Sequence, residues 1–249
     1  MDLNLFILFL SSGLYDMSTA IPLENDEKWW WYLAKSKLLS NLIKNHVNLH
    51  KKLNILEIGP GKGNNLEVLN SYGEIDLLET EEEFILFLNK YKSKSFNQIY
   101  KEIRDIKKEY DLIVLLDVLE HIQHSREFMD SLSSILKKHG TIIIGVPAYQ
   151  TLWSIHDEVL KHYRRYNWEL LKKDTSSFKI VYKTGFNYLL LPIRFLQLKF
   201  MRNIHNTNQT GKFLNFVFLQ ISNIEFNLRR IKLNPKFGLS IYAVLKKIN

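Results

Sequence analysis

The chain has 249 residues, enough for one large domain with additions and a sizeable core. Its 46% hydrophobic and 24% charged content is ordinary for a globular protein, and without cysteine it can hold no disulfide, thiolate zinc site, cysteine nucleophile or iron–sulfur cluster. The net charge of +8 is lopsided: residues 1–178 carry 22 Lys and Arg against 25 Asp and Glu, whereas residues 179–249 carry 12 against Glu225 alone.

Residues 3–10 form an apolar run broken by Asn4. It is too short to span a bilayer, and no Lys or Arg precedes Lys28, which argues against a signal peptide. A packed element, a membrane contact and an over-extended start ahead of Met17 all fit it. Within residues 24–43, Trp29, Trp30, Trp31, Tyr32, Leu33, Leu38, Leu39 and Leu42 recur at helical spacing, predicting one or two amphipathic helices. Adjacent tryptophans cannot all face one core, so they are expected either as a lid over a ligand or as simple core packing.

Residues 53–65 read LNILEIGPGKGNN. A buried strand ends at Gly59 and runs into a turn with Gly61 and Gly63, where the backbone must bend tightly and let a ligand approach. After a short helix with Leu66 and Leu69, Ile75 to Leu78 reads as a second strand, ending on Glu79, 20 residues after Gly59. An acid there accepts hydrogen bonds from both ribose hydroxyls. The dinucleotide fingerprint G-x-G-x-x-G is not met, because Asn64 stands where its last glycine belongs. Glu57, just before the turn, suits a ligand ammonium better than a pyrophosphate.

On these residues the chain resembles the class I S-adenosyl-L-methionine (SAM) dependent methyltransferases, whose first motif is written much like LEIGPGKG. The resemblance covers about residues 29–186 and 235–247. It implies a Rossmann-like, doubly wound α/β sheet of seven strands, mostly parallel with an antiparallel last strand. It also implies SAM held by Glu57, Gly59, Gly61, Gly63 and Glu79.

After Glu79, Glu81, Glu82 and Glu83 open a helix with Phe84, Phe87 and Leu88 on one face, acids in its first turn favouring the dipole. A short third strand follows at Gln98 to Tyr100. The resemblance places the adenine-binding acid just beyond, at Glu102 with Ile103 beside it, ahead of Asp105. Tyr110 to Leu116 (YDLIVLL) is the clearest buried strand, and the DVLEH stretch after it is the second point of likeness. It implies that Asp117 lies beside the methionyl group. Asp117, Glu120 and His121 partly match an E-x-x-E-H metal stretch of ubiquinone-pathway O-methyltransferases. Asp replaces the first Glu, a shared helix cap is the blander account, and no metal is expected. The D/N-P-P-Y/F motif of base-amino methyltransferases is absent. A helix carrying Phe128, Met129, Leu132 and Leu136 is predicted to stop at Gly140, before a fifth strand at Thr141 to Val146.

Residues 147–166 read PAYQTLWSIHDEVLKHYRRY, dense in polar and aromatic groups just past a strand tip, where open α/β sheets bind ligands. His156, His162 and Tyr163 are the candidates for proton transfer from an acceptor, and Trp153, Arg164 and Arg165 for holding it. The W-S-x-H-D…H-x-R-R-Y pattern is similar to a subgroup of uncharacterised methyltransferases. Phe178 to Tyr182 and Gly238 to Lys246 read as the last strands, a hairpin in the family. Here an insertion separates them. Its two helical runs include Leu214, Val217, Phe218, Ile221 and Ile224 along one face, fringed by Arg194, Lys199, Arg202, Lys212, Arg229 and Arg230.

The expected organisation is an N-terminal extension (1–50), a SAM-binding core (51–186), a basic helical insertion (187–234) and the last core strand (235–249). The expected activity is O- or N-methylation of a small-molecule or lipid- or glycan-linked acceptor by a cytoplasmic protein. Residues 187–234 would touch an anionic membrane or serve as a dimer or lid element. A SAM-binding or membrane-docking module without catalysis is the alternative, and an RNA methyltransferase ranks below it.

Overall fold

The computed structural model describes residues 29–201, 212–231 and 233–248. The apolar run at 3–10 and Arg202 lie outside them. In chain order the helices are α1 (Trp30–His46), α2 (Leu66–Asn70), α3 (Glu82–Tyr91), α4 (Ser125–Leu132), α5 (Ile155–Val159), α6 (Trp168–Asp174), α7 (Leu191–Met201) and α8 (Lys212–Arg230). The strands are β1 (Leu53–Ile58), β2 (Gly73–Leu78), β3 (Gln98–Tyr100), β4 (Tyr110–Leu116), β5 (Leu136–Pro147), β6 (Phe178–Phe186) and β7 (Ser240–Lys247). They form one sheet in the order β3-β2-β1-β4-β5-β7-β6, mostly parallel and antiparallel at the last strands.

By contacts the chain forms two compact units. Among the described residues, one holds Lys35–Val146, Trp168–Lys183 and 242–248; the other holds 29–34 with Pro147–Asn167 and those within 184–241. In the first, β1 and β4 are buried along nearly their whole length, which explains their continuous Ile, Leu and Val runs: a parallel strand covered on both faces has no polar side. The register pairs Ile58 with Leu78 on one side and Leu115 on the other, so the tips of β1, β2 and β4 finish together. Gly145 of β5 admits the Tyr242 ring, one of whose carbons lies 2.5 Å from where a Cβ would stand.

Two predicted elements are corrected. Residues 136–140 are strand, not the end of a helix: α4 stops at Leu132, and Leu136 is already paired with Tyr110. The register then shifts before Leu112 meets Thr141, so Lys137, Lys138 and His139 sit in an irregularity. Burial of Leu136 and the Lys137 Nζ to Asp111 bond of 2.8 Å override the helical preference of a Lys-Lys pair. In α3 the buried residues are Ile85 and Leu88, rather than a face centred on Phe84 and Phe87.

In the second unit Trp29 and Trp30 are core residues, packed with Leu190, Leu214 and Phe218, so core packing accounts for them rather than a lid. The helical insertion is present, but its faces differ from the predicted ones. Leu214, Phe218, Ser222, Glu225 and Phe226 point inward, whereas Ile224 is exposed, as are Phe213 and Phe216. Arg194 and Arg229 are not a solvated fringe either. Arg194 is buried and donates to Ser154 Oγ at 3.1 Å, and Arg229 bonds Asn234 Oδ1 at 2.8 Å together with Thr184 and the Gly185 carbonyl. Glu225, the one acid of this region, is buried and accepts from the backbone N–H groups of Asn187 and Leu189 at 3.0 and 2.8 Å.

Candidate active site

Gly59, Gly61 and Gly63 have φ of +61°, +53° and +74°, a region that costs other residues about 1–2 kcal/mol. Two of them are also fixed by packing. A Cβ on Gly59 would stand 2.6 Å from Val118 Cγ2, and one on Gly63 would stand 2.6 Å from Leu66 Cδ1. A Cβ on Gly61 would meet nothing within 4 Å. The middle glycine therefore borders open space, the cradle a ligand needs.

Glu79 turns back into this bend. Its carboxylate accepts from Gly61 N at 3.1 Å, Thr80 N at 2.8 Å and Glu81 N at 3.0 Å. Burial still raises its pKa, the backbone donors offsetting only part. Glu57 is buried beneath the turn. Its Oε1 accepts from Asn65 Nδ2 at 2.8 Å, and its Oε2 has no hydrogen-bond partner among the described residues. Burial pushes its pKa from 4.5 up to about 7, against the Asn65 bond and the nearby Lys35 charge. A buried carboxylate oxygen without a donor is what a ligand ammonium would satisfy.

Asp117, at the tip of β4, is held by its N–H to Gly145 O at 2.9 Å and has φ +57°. Its carboxylate pairs with Lys35, a buried lysine of α1 that the sequence reading passed over. The available signal was its place on the stripe of Leu38, Leu39 and Leu42, where a lysine is out of character. Asn65, the partner of Glu57, was missed as well. Glu102 is exposed beyond β3 and pairs with Arg104, Nε to Oε2 being 2.5 Å. Ile103 is half-buried and Asp105 exposed in the 3-10 turn there.

In the other unit Asp157 is fully buried and organises the polar stretch. It forms a capping box with Ser154 at the start of α5, accepting from Ser154 N at 2.9 Å. It also accepts from Arg165 Nε at 2.7 Å and lies 2.9 Å from His162 Nδ1. Burial would raise the Asp157 pKa, but His162, Arg165 and the Ser154 N–H hold it well below the usual range. Burial lowers His156 to about 4, so this imidazole is neutral at pH 7. Tyr163 is exposed with Arg164 over its ring at 5.7 Å, and Trp153 Nε1 reaches Glu158 Oε1 at 3.4 Å.

The strand order, the glycine bend after β1 and the acid at the tip of β2 define a Rossmann-like nucleotide-binding domain. The methyltransferase domain profile matches residues 29–185. Ubiquinone biosynthesis O-methyltransferase from Rickettsia canadensis is 31% identical over 109 residues, 41% of this chain and 46% of the relative. The chain thus aligns with about half the length of that relative. A SAM-dependent methyltransferase from Clostridium acetobutylicum superposes with a TM-score of 0.53 at 15% identity, over 89% of this chain and 92% of the other. The N-methyltransferase NodS from Bradyrhizobium japonicum, solved with S-adenosyl-L-homocysteine, gives 0.56 at 12% identity over 98% of each chain. The fold is that of class I SAM-dependent methyltransferases. The chain belongs to the methyltransferase domain family.

Proposed function

We propose that this protein transfers the methyl group of SAM to a hydroxyl or amine of a small-molecule or lipid-linked acceptor. The supporting observation is the meeting of Glu79 and Gly61 beside a buried Glu57 oxygen that lacks a donor. These residues fit an adenosyl amino acid: Glu79 for the ribose hydroxyls, Gly61 for close approach, Glu57 for the ammonium, Asp117 for the methionyl end and Glu102 with Ile103 for adenine. When bound, the cofactor supplies an already activated methyl on sulfur. The protein then has to align the acceptor and take one proton. Of the two histidines, His162 suits that task better. Asp157 orients its ring through Nδ1, so Nε2 would receive the proton, whereas a pKa of about 4 makes His156 a weak base. Tyr163, Trp153, Arg164 and Arg165 complete the acceptor reading, Arg165 also serving Asp157.

The Rickettsia relatives, named for O-methylation in ubiquinone biosynthesis, favour an O-methyl acceptor, and the outer row of α8 supports a lipid-linked one. Every exposed phenylalanine among the described residues falls in the stretch Phe195, Phe213, Phe216 and Phe237. Exposed Phe213, Phe216 and Ile224 share one face of α8 in the region whose one acid is buried Glu225, a composition suited to an anionic bilayer surface. None of the described helices is long and apolar enough to cross a membrane.

Calorimetry with SAM and S-adenosylhomocysteine tests cofactor binding. Release of S-adenosylhomocysteine with hydroxyl, amine and carboxylate acceptors tests turnover, and a folded sample that binds neither nucleotide overturns the proposal. Flotation with phosphatidylglycerol-containing vesicles, lost in Phe213→Ser/Phe216→Ser, tests the membrane face. Equal flotation of both proteins rejects it.

A further inference from the structure

The stretch ahead of β7 is bonded on both sides: Leu239 O accepts from Ala148 N at 2.9 Å, and Pro235 O from Gly185 N at 2.7 Å. The chain therefore leaves β5 and β6 at one end, the end at which open α/β sheets take ligands. At the exit of β6 stand Asn187 and Tyr188, both buried against the inner face of α8. Ser222 Oγ donates to Asn187 Oδ1 at 3.4 Å, and the Arg229 guanidinium lies 5.8 Å from the centre of the Tyr188 ring. Glu225 grips the backbone on either side of Tyr188, accepting from Asn187 N and Leu189 N, and so holds the exit while Asn187 takes a φ of +54°.

Two polar atoms of this clasped corner are left over. Asn187 Nδ2 and the Tyr188 hydroxyl are buried and have no hydrogen-bond partner among the described residues. A corner that needed only its shape could carry glycine and phenylalanine, with nothing unsatisfied. Burial raises the Tyr188 pKa, so the phenol stays a neutral donor. Both groups call for an oxygen, and the Glu225 carboxylate beside them disfavours a second anion.

We propose that Asn187 and Tyr188 bind a neutral oxygen of the methyl acceptor, a hydroxyl or a carbonyl, to which Asn187 Nδ2 and the Tyr188 hydroxyl donate. The inference rests on the methyl-transfer reading above and narrows its acceptor: the end that meets the exit of β6 is polar and uncharged.

The test pairs unfolding with turnover on the full chain. Tyr188→Phe removes only the hydroxyl, so the ligand-free protein is expected to melt about 2–4 °C higher, relieved of an unsatisfied buried group. Turnover uses the acceptor that releases S-adenosylhomocysteine in the hydroxyl, amine and carboxylate panel. Its KM should rise about tenfold in Tyr188→Phe, while kcat and S-adenosylhomocysteine affinity change less than about threefold, as for a contact made equally before and during transfer. Asn187→Gly, which tolerates the left-handed backbone, should raise KM similarly, and hydroxyl compounds should be better acceptors than carboxylates. A melting temperature that does not rise in Tyr188→Phe indicates a buried water only and overturns the proposal. An unchanged KM in either variant, or a preference for carboxylates, overturns it too, and each of these results leaves the methyl-transfer reading in place. Wild type that binds S-adenosylhomocysteine but turns over no acceptor overturns both.

Discussion

Gly61 and Gly63 share a backbone conformation and differ in their surroundings, so replacing each by alanine separates folding from binding. Both replacements incur left-handed strain of about 1–2 kcal/mol. At Gly61 that is the whole cost, because the new methyl meets nothing within 4 Å. At Gly63 the methyl would stand 2.6 Å from Leu66 Cδ1 and 3.0 Å from Leu88 Cδ2, adding overpacking of about 1–3 kcal/mol. Thermal unfolding should therefore fall by a few degrees in Gly61→Ala and by roughly twice as much in Gly63→Ala, at about 2–4 °C per kcal/mol. Affinity for S-adenosylhomocysteine should follow the other order. The methyl on Gly61 would occupy the space the ligand needs and is expected to lower affinity at least about tenfold, some 1.4 kcal/mol. A Gly61→Ala protein that binds as tightly as wild type would show that no ligand lies over the bend.

The remaining expectations concern charge. Because burial raises Glu57 from 4.5 to about 7, the folded state keeps a proton that the unfolded chain releases between those values, and stability falls as pH rises across that window. Glu57→Gln should remove the fall and stabilise the ligand-free protein at pH 8 by up to about 3 kcal/mol, while weakening S-adenosylhomocysteine. Urea titrations with the same pH slope for both proteins would contradict the assigned burial. Wild-type affinity should also decline below about pH 7, where the carboxylate that faces the ammonium is protonated. Asp157→Ala should cost about 3–5 kcal/mol by stranding Arg165 and His162, and an unchanged urea midpoint would refute that. Since Asp157 titrates below its usual value, its contribution is in place above about pH 4 and drains as pH falls further.

Local patterns carried much of the fold. The apolar runs of β1 and β4 and the Gly-Pro-Gly-Lys-Gly bend are contiguous signals, as is Glu79 at the end of its strand. What the sequence hid were pairings between distant residues. Lys35 meets Asp117 across 82 positions, and its place on the leucine stripe of α1 hints at burial without naming its partner. Arg194 reads as a surface cation until Ser154, 40 residues earlier, receives it. Periodicity also misjudged α8, because both its faces are apolar. Phe213, Phe216 and Ile224 and the opposite Leu214 and Phe218 give no contrast by which to choose the inner side. Leu136-Lys-Lys-His-Gly misled for a different reason: its propensity is helical, and only pairing with Tyr110 makes it strand.

The strand order has a consequence for how the chain is assembled. Ser240–Lys247 enters between β5 and β6, both made earlier, so each presents a naked hydrogen-bonding edge until the last described strand arrives. Growing chains cut short ahead of Ser240 would expose those edges as templates for clumping. They would also lack the Tyr242 ring that rests on Gly145, the residue whose carbonyl anchors Asp117. Competence for ligand thus depends on residues synthesised well after nearly every group proposed to touch the cofactor.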